Sequence, residues 1–229
     1  MIDRAPNNPN LPVTYPEARL INANLIAGYN MRSNRDFSGN GRHFSWGGEF
    51  NEQGAVLTPD VSRRISTPVM DSEAITIVTC TNITASADAG IILSNAQTGP
   101  TQGFEVRKRP SLTDAQLQIA ISNGSGFATG SYPFVGWRMN IFTMDLATLK
   151  ASNGAGSQTT LSFGGNRRLG LIPWFMNGLP DGYGAAGVTV GVNGILGCAL
   201  FYNKVYTQAE LAPIAAAVRQ MMALRGIVI

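Results

Sequence analysis

Apolar runs of four to nine residues, punctuated by glycine, asparagine and serine, fill most of this chain, and a helical period appears only near its end. The clearest run is Ala74–Thr81 (AITIVTCT), which is rich in β-branched residues. Such side chains lose little rotamer freedom on a pleated surface and favour strands. Leu20–Met31, Ala55–Leu57, Ile65–Val69, Gly90–Ser94, Gly103–Lys108, Leu117–Ser122, Trp137–Leu146, Thr159–Phe163, Gly187–Val192 and Ile195–Tyr202 continue the series. Strands that recur with turn residues between them, and with no helical segment interposed, predict an all-β sandwich of two antiparallel sheets. No repeat of propeller or solenoid length is present.

The exception to this pattern lies at the C-terminus. Thr207-Gln-Ala-Glu210 has the form of a capping box, in which hydroxyl and carboxylate reciprocally satisfy the first backbone N–H groups. Pro213 lacks an N–H, so the reading is a short turn over 208–212 followed by a helix over 213–225. Ile214, Ala217, Val218, Met221 and Leu224 form its apolar face, and Gly226 stops it.

Residues 1–20 read as an extended arm preceding a domain over 21–229. Pro6, Pro9, Pro12 and Pro16 hold them near polyproline or β geometry. Two readings stand for this arm. It is either a disordered leader or a segment that orders on a neighbouring subunit through Leu11, Val13 and Tyr15. The four prolines and the lack of an apolar core in Met1–Leu20 argue against a signal peptide, and no stretch of the chain resembles a membrane-spanning helix.

Composition narrows the chemistry. Only 14% of residues are charged and the net charge is +3, so neither a nucleic-acid face nor a charge-rich coiled coil is expected. The lone histidine, His43, excludes a zinc site built on several histidines, and two cysteines are too few for a disulfide framework. Cys80 and Cys198 lie on apolar runs and read as buried thiols. Their proximity is open at this level. The fourteen arginines cluster at Arg63-Arg64, Arg107-Lys108-Arg109 and Arg167-Arg168. On a strand, neighbouring residues face opposite ways, so these doublets read as ordinary surface or interface arginines, with an acidic-glycan role as the alternative.

Two segments carry a family resemblance. Leu25–Phe50 contains a strand, then Asp36-Phe-Ser-Gly-Asn-Gly41, then His43 and Trp46. Ile195–Gly226 contains a hydrophobic strand ending in Phe-Tyr-Asn-Lys, then Tyr206-Thr-Gln-Ala-Glu-Leu211 and a helix. In this order, and at a domain-sized spacing, they resemble the bend after the first strand and the closing strand and turn of the laminin G-like group. That group belongs to the concanavalin A-like lectin/glucanase superfamily. The resemblance covers roughly residues 22–229 and implies a jelly-roll of roughly a dozen strands in two face-packed sheets.

The chain departs from the family's hydrolases. Retaining glycoside hydrolysis needs two carboxyl groups about 5 Å apart. The one pair at i, i+2 is Asp71/Glu73, placed in a turn rather than on a strand, and Glu49 and Glu52 flank a bend. No catalytic residue, cofactor or metal site is therefore assigned. Asp36, Asn40, Asn34 and Asp181 suit calcium by type alone, and the simpler reading is that they are turn residues bonding their own backbone. Two functions remain. The first is a non-enzymatic structural or attachment protein, implied by the resemblance to be a bacteriophage virion component such as a capsid decoration or tail protein. It would contact other virion proteins or copies of itself. The alternative is a lectin-like module for a cell-surface glycan, with Trp174, Tyr183 and Asp181 of the loop LIPWFMNGLPDGYG as binding residues. Packing is the competing reading for Trp174, and Trp137 reads as core.

Overall fold

In the computed structural model, which describes residues 15–110, 115–124, 127–134, 136–154, 156, 158–180, 183 and 188–229, the apolar runs become strands. Sixteen are formed: β1 (Leu25–Tyr29), β2 (Glu49–Phe50), β3 (Ala55–Leu57), β4 (Ile65–Ser66), β5 (Ile75–Ile83), β6 (Gly90–Ser94), β7 (Gln97–Thr98), β8 (Thr101–Gln102), β9 (Phe104–Lys108), β10 (Ala115–Ser122), β11 (Phe127–Phe134), β12 (Trp137–Met144), β13 (Leu149–Asn153), β14 (Thr159–Leu161), β15 (Phe175–Met176) and β16 (Gly194–Tyr202). One helix, α1 (Gln208–Ala223), closes the described chain. The architecture is an antiparallel jelly-roll-like sandwich, as the run pattern implied. One sheet runs β14-β13-β12-β5-β16-β3-β2, with β1 also on β16. The other runs β11-β10-β9-β6-β15-β4. Along one side of β16 the first half meets β3 and the second half meets β1, while β5 pairs along its other side.

The larger sheet is covered on both faces, which explains why every residue of β5 from Ile75 to Thr81 is buried. Ile75, Ile77 and Ile83 enter the core between the sheets with Phe104, Phe142, Trp174 and Phe201. Val78 and Cys80 enter a second core beneath α1, with Met139, Ile141, Leu200, Ile214, Val218 and Met221. The molecule thus has three layers: small sheet, large sheet and helix.

The loop after β1 is organised by Asp36. Its carboxylate accepts from the backbone N–H groups of Gly28 (2.9 Å), Ser38 (2.8 Å) and Arg42 (3.0 Å) and from the Ser38 hydroxyl (2.7 Å). The Asn40 side-chain amide donates to the Leu25 and Ile26 carbonyls at 2.8 and 3.0 Å. These bonds fold the Asp36–Gly41 motif back onto β1, so it is a bend held by its own polar groups.

Several boundaries differ from the sequence-based reading. The helix begins at Gln208 rather than 213, and Pro213 lies inside it. The proline removes one early backbone bond. The capping box at Thr207 and Glu210 and the burial of Leu211, Ile214 and Ala215 hold the first turns regardless. Thr207→Ala is expected to lower stability by about 1 kcal/mol, seen as a shift in the urea midpoint. An unchanged midpoint would show that packing alone holds the helix start.

Pro16 opens a 3₁₀ turn, Pro16–Arg19, instead of continuing an extended arm, because the turn seats buried Leu20 in the core beneath α1. Residues 188–192 form no strand. Gly191 is pressed against the Asn177 side chain, and the segment is held by single bonds such as Ile91 N–H to the Val190 carbonyl (2.8 Å). β11 was not expected from its sequence, since it contains Gly130 and Pro133. It is the terminal strand of its sheet, where a missing N–H costs nothing in the ladder.

Candidate functional site

Of the sequence-predicted binding residues, Trp174 and Tyr183 are not brought together. Trp174 is wholly buried between the sheets, with ring centroids 5.9 Å from Phe104 and 6.1 Å from Phe201. It therefore packs the core and offers no face to a ligand. Its loop looks exposed by composition, yet the Trp174 carbonyl accepts from the Thr67 N–H (3.2 Å) and hydroxyl (2.7 Å) and the Trp174 N–H donates to the Val69 carbonyl (2.8 Å), which clamps its backbone. Tyr183 lies beyond the opposite face of the small sheet, half-buried against Ile91, Phe175 and Leu179, and bridges to Gln97. Asp181 lies outside the described residues, as do Leu11 and Val13. Tyr15 is 73% exposed.

The carboxylates are also committed elsewhere. Asp71 forms a fully buried ion pair with Arg167 at 2.7 Å and accepts from Gly170 N–H at 3.0 Å. Arg167 further donates to the Ser72 and Asp145 carbonyls. This corrects the view of Arg167 as a surface group, and it removes Asp71 from any acid pair with exposed Glu73. Glu49 and Glu52 are exposed near the β2–β3 turn. Among the described residues no group of three or more His, Cys, Asp or Glu side chains could hold a metal ion. Lys108, nominally part of a basic cluster, is likewise buried: its ammonium donates to the carbonyls of Ser86, Asp88 and Arg109 at 2.7, 2.7 and 2.9 Å. Arg63 and Arg64 donate to the Gly47 and Val61 carbonyls, and Arg107 lies 3.6 Å from Glu105.

A pocket forms instead where α1 crosses the end of the β12–β13 hairpin. It encloses about 180 Å³ and is lined by Trp137, Arg138, Met139, Asn153, Gly154, Arg219 and Ile229. Trp137 starts β12 and, by strand alternation with Met139, faces the helix. Its half-buried indole lies against Gly197, where a side chain would come within 3.0 Å of the ring. Arg219 reaches from α1: its Nε donates to the Ile229 main-chain oxygen at 3.2 Å, and its Nη2 lies over Gly154. Gly154 has φ +65°, which favours glycine, and donates its N–H to the Met139 carbonyl at 2.7 Å.

The pocket thus offers an aromatic surface, a guanidinium and main-chain polar groups, and no carboxylate side chain among its lining residues. Its volume is below the ~300–1,000 Å³ of sites that enclose a drug-sized molecule, so it suits one ring rather than a chain of them. Trp137 was visible in the sequence as a candidate aromatic but read as core. Arg219 carried no signal, because its role depends on where the helix crosses the sheet.

No protein-family model and no curated protein matches the sequence. Solved structures share the fold. The receptor-binding domain of botulinum neurotoxin type G superposes with a TM-score of 0.63 at 11% identity, over 86% of this chain and 52% of that one. The binding domain of serotype D gives 0.61 at 10% identity, over 87% and 52%. This chain therefore spans about half the length of the toxin domains it matches. Domain 4 of AbnA, an extracellular arabinanase from Geobacillus stearothermophilus, solved with arabinotriose, gives 0.58 at 14% identity over 84% of this chain and 98% of the domain. These neighbours are binding domains on a β-sandwich. Among the described residues no helix is long and apolar enough to cross a membrane.

Proposed function

We propose that this chain is a non-catalytic carbohydrate-binding module that seats a single sugar residue in the pocket beside Trp137. The observation that carries the reading is the half-buried indole at the mouth of a one-ring pocket, flanked by the Arg219 guanidinium and free of carboxylate side chains. A sugar's C–H face packs on an indole, while its hydroxyls accept from a guanidinium. The match to a whole arabinanase domain solved with an oligosaccharide, and to toxin receptor-binding domains, supports this reading over a role in virion assembly. The diversion of Asp71 into an ion pair supports the absence of hydrolysis, since the one acid pair at i, i+2 spacing in the sequence is thereby dismantled.

The test is a screen of the intact chain on a glycan array followed by titration calorimetry. Trp137→Ala is expected to weaken the leading interaction about tenfold or more, with the far-ultraviolet spectrum unchanged. A chain that binds no glycan, or a Trp137→Ala variant that binds as well as the parent, would falsify the assignment.

A further inference from the structure

Cys80 on β5 and Cys198 on β16 stand directly opposite each other in register, and both are free thiols with no exposed surface. Opposed residues of an antiparallel pair have Cα atoms about 4.5–5.5 Å apart. Disulfides span about 4.4–6.8 Å between Cα atoms, so paired positions of a ladder lie within the reach of a bond. The ladder shifts between Leu196 and Cys198, and the irregularity places Gly197 under the end of α1. A side chain on Gly197 would come within 2.4 Å of Met222, and Arg225 donates to the Gly197 carbonyl at 2.8 Å. The last turn of the helix is therefore the cover over the pair.

We infer that Cys80 and Cys198 are a reversible redox pair, closed by a peroxide into a cross-strand disulfide that ties β5 to β16 beneath α1. A hydrogen bond with Cys198 and burial push the Cys80 thiol well above its ordinary pKa. Cys198 adjoins Gly197 under the end of α1, so it is the sulfur that attacks first when that end lifts. Its attack breaks the peroxide O–O bond, leaving a sulfenic acid on Cys198 and releasing water. The Cys80 sulfur then displaces the sulfenic oxygen as a second water, forming the S–S bond. Two thiols lose two electrons and two protons, and one peroxide becomes two waters. Access requires the end of α1 to lift, a local opening that precedes global unfolding. A dithiol reductant reverses the closure by exchange.

The experiment treats the reduced native chain with hydrogen peroxide, then denatures, alkylates and digests it for mass spectrometry. The expected product is a linked Cys80–Cys198 peptide, lighter than its separate halves by two hydrogen atoms and restored to two thiols by dithiothreitol. Because the bond closes a long loop, the oxidised chain is expected to melt roughly 10 °C higher. Two alkylated cysteines after treatment, sulfinic acid at either one, or links only between chains would overturn the pairing. A linked chain that melts no higher would overturn its role as a clasp. Cys198→Ala and Cys80→Ala should each show neither the link nor the rise, and a rise in either variant would place its cause elsewhere.

Discussion

Trp174→Ala is expected to destabilise the chain by about 3–5 kcal/mol, the range for truncating a large buried aromatic. The indole fills the middle of the inter-sheet core between Phe104 and Phe201, so its removal leaves a cavity that two sheets braced by long ladders cannot collapse into. For a domain of this length the loss corresponds to a fall in Tm of roughly 10 °C or more. Trp174→Phe separates volume from polarity. The indole N–H meets no hydrogen-bond acceptor among the described residues, so phenylalanine removes an unsatisfied donor along with part of the ring. It should cost well under half as much as alanine. Urea unfolding followed by circular dichroism reads both variants, and an alanine variant within about 1 kcal/mol of the parent would contradict the core placement. The same comparison bears on function. If Trp174 contacted a ligand, alanine would abolish glycan binding at temperatures where the variant is fully folded.

Arg167→Met is the second large effect, again about 3–5 kcal/mol. The guanidinium is the common partner of the Asp71 carboxylate and of the Ser72 and Asp145 carbonyls, and both charged side chains are fully buried. Methionine keeps much of the length and apolar bulk but leaves Asp71 charged in an enclosed site with the Gly170 and Ser72 N–H groups as its remaining donors. Arg167→Met combined with Asp71→Leu removes both charges, and is expected to recover most of the loss, because a pair of apolar groups has no desolvation to offset. A double variant no more stable than the single one would show that the guanidinium acts through its carbonyl contacts instead. By contrast Arg168, its sequence neighbour, is exposed, and its removal should matter little.

These contrasts show which level of organisation holds which information. Repetition of short β-branched runs between turn residues specified two antiparallel sheets, and β6 and β3 fall where their runs predict. The same is true of the capping box at Thr207–Glu210, the stop at Gly226 and the bend at Asp36–Gly41. Each depends on neighbours within a few residues, whose propensities and hydrogen bonds are local. The candidate site residues were not legible in this way. Trp174 and Trp137 both sit in apolar sequence, and only the register and the crossing of α1 decide that one is enclosed between sheets while the other borders a pocket. Arg167 and Arg168 are chemically identical neighbours, and only the folded chain, which brings Asp71 to Arg167, decides that the first is buried and the second exposed. Cys80 and Cys198 are more than a hundred positions apart, and their apposition is a property of the β5–β16 ladder. Local chemistry sets the periodicity, so sequence alone determined the fold class; burial and proximity arise from contacts between distant segments, so tertiary structure alone decided the site.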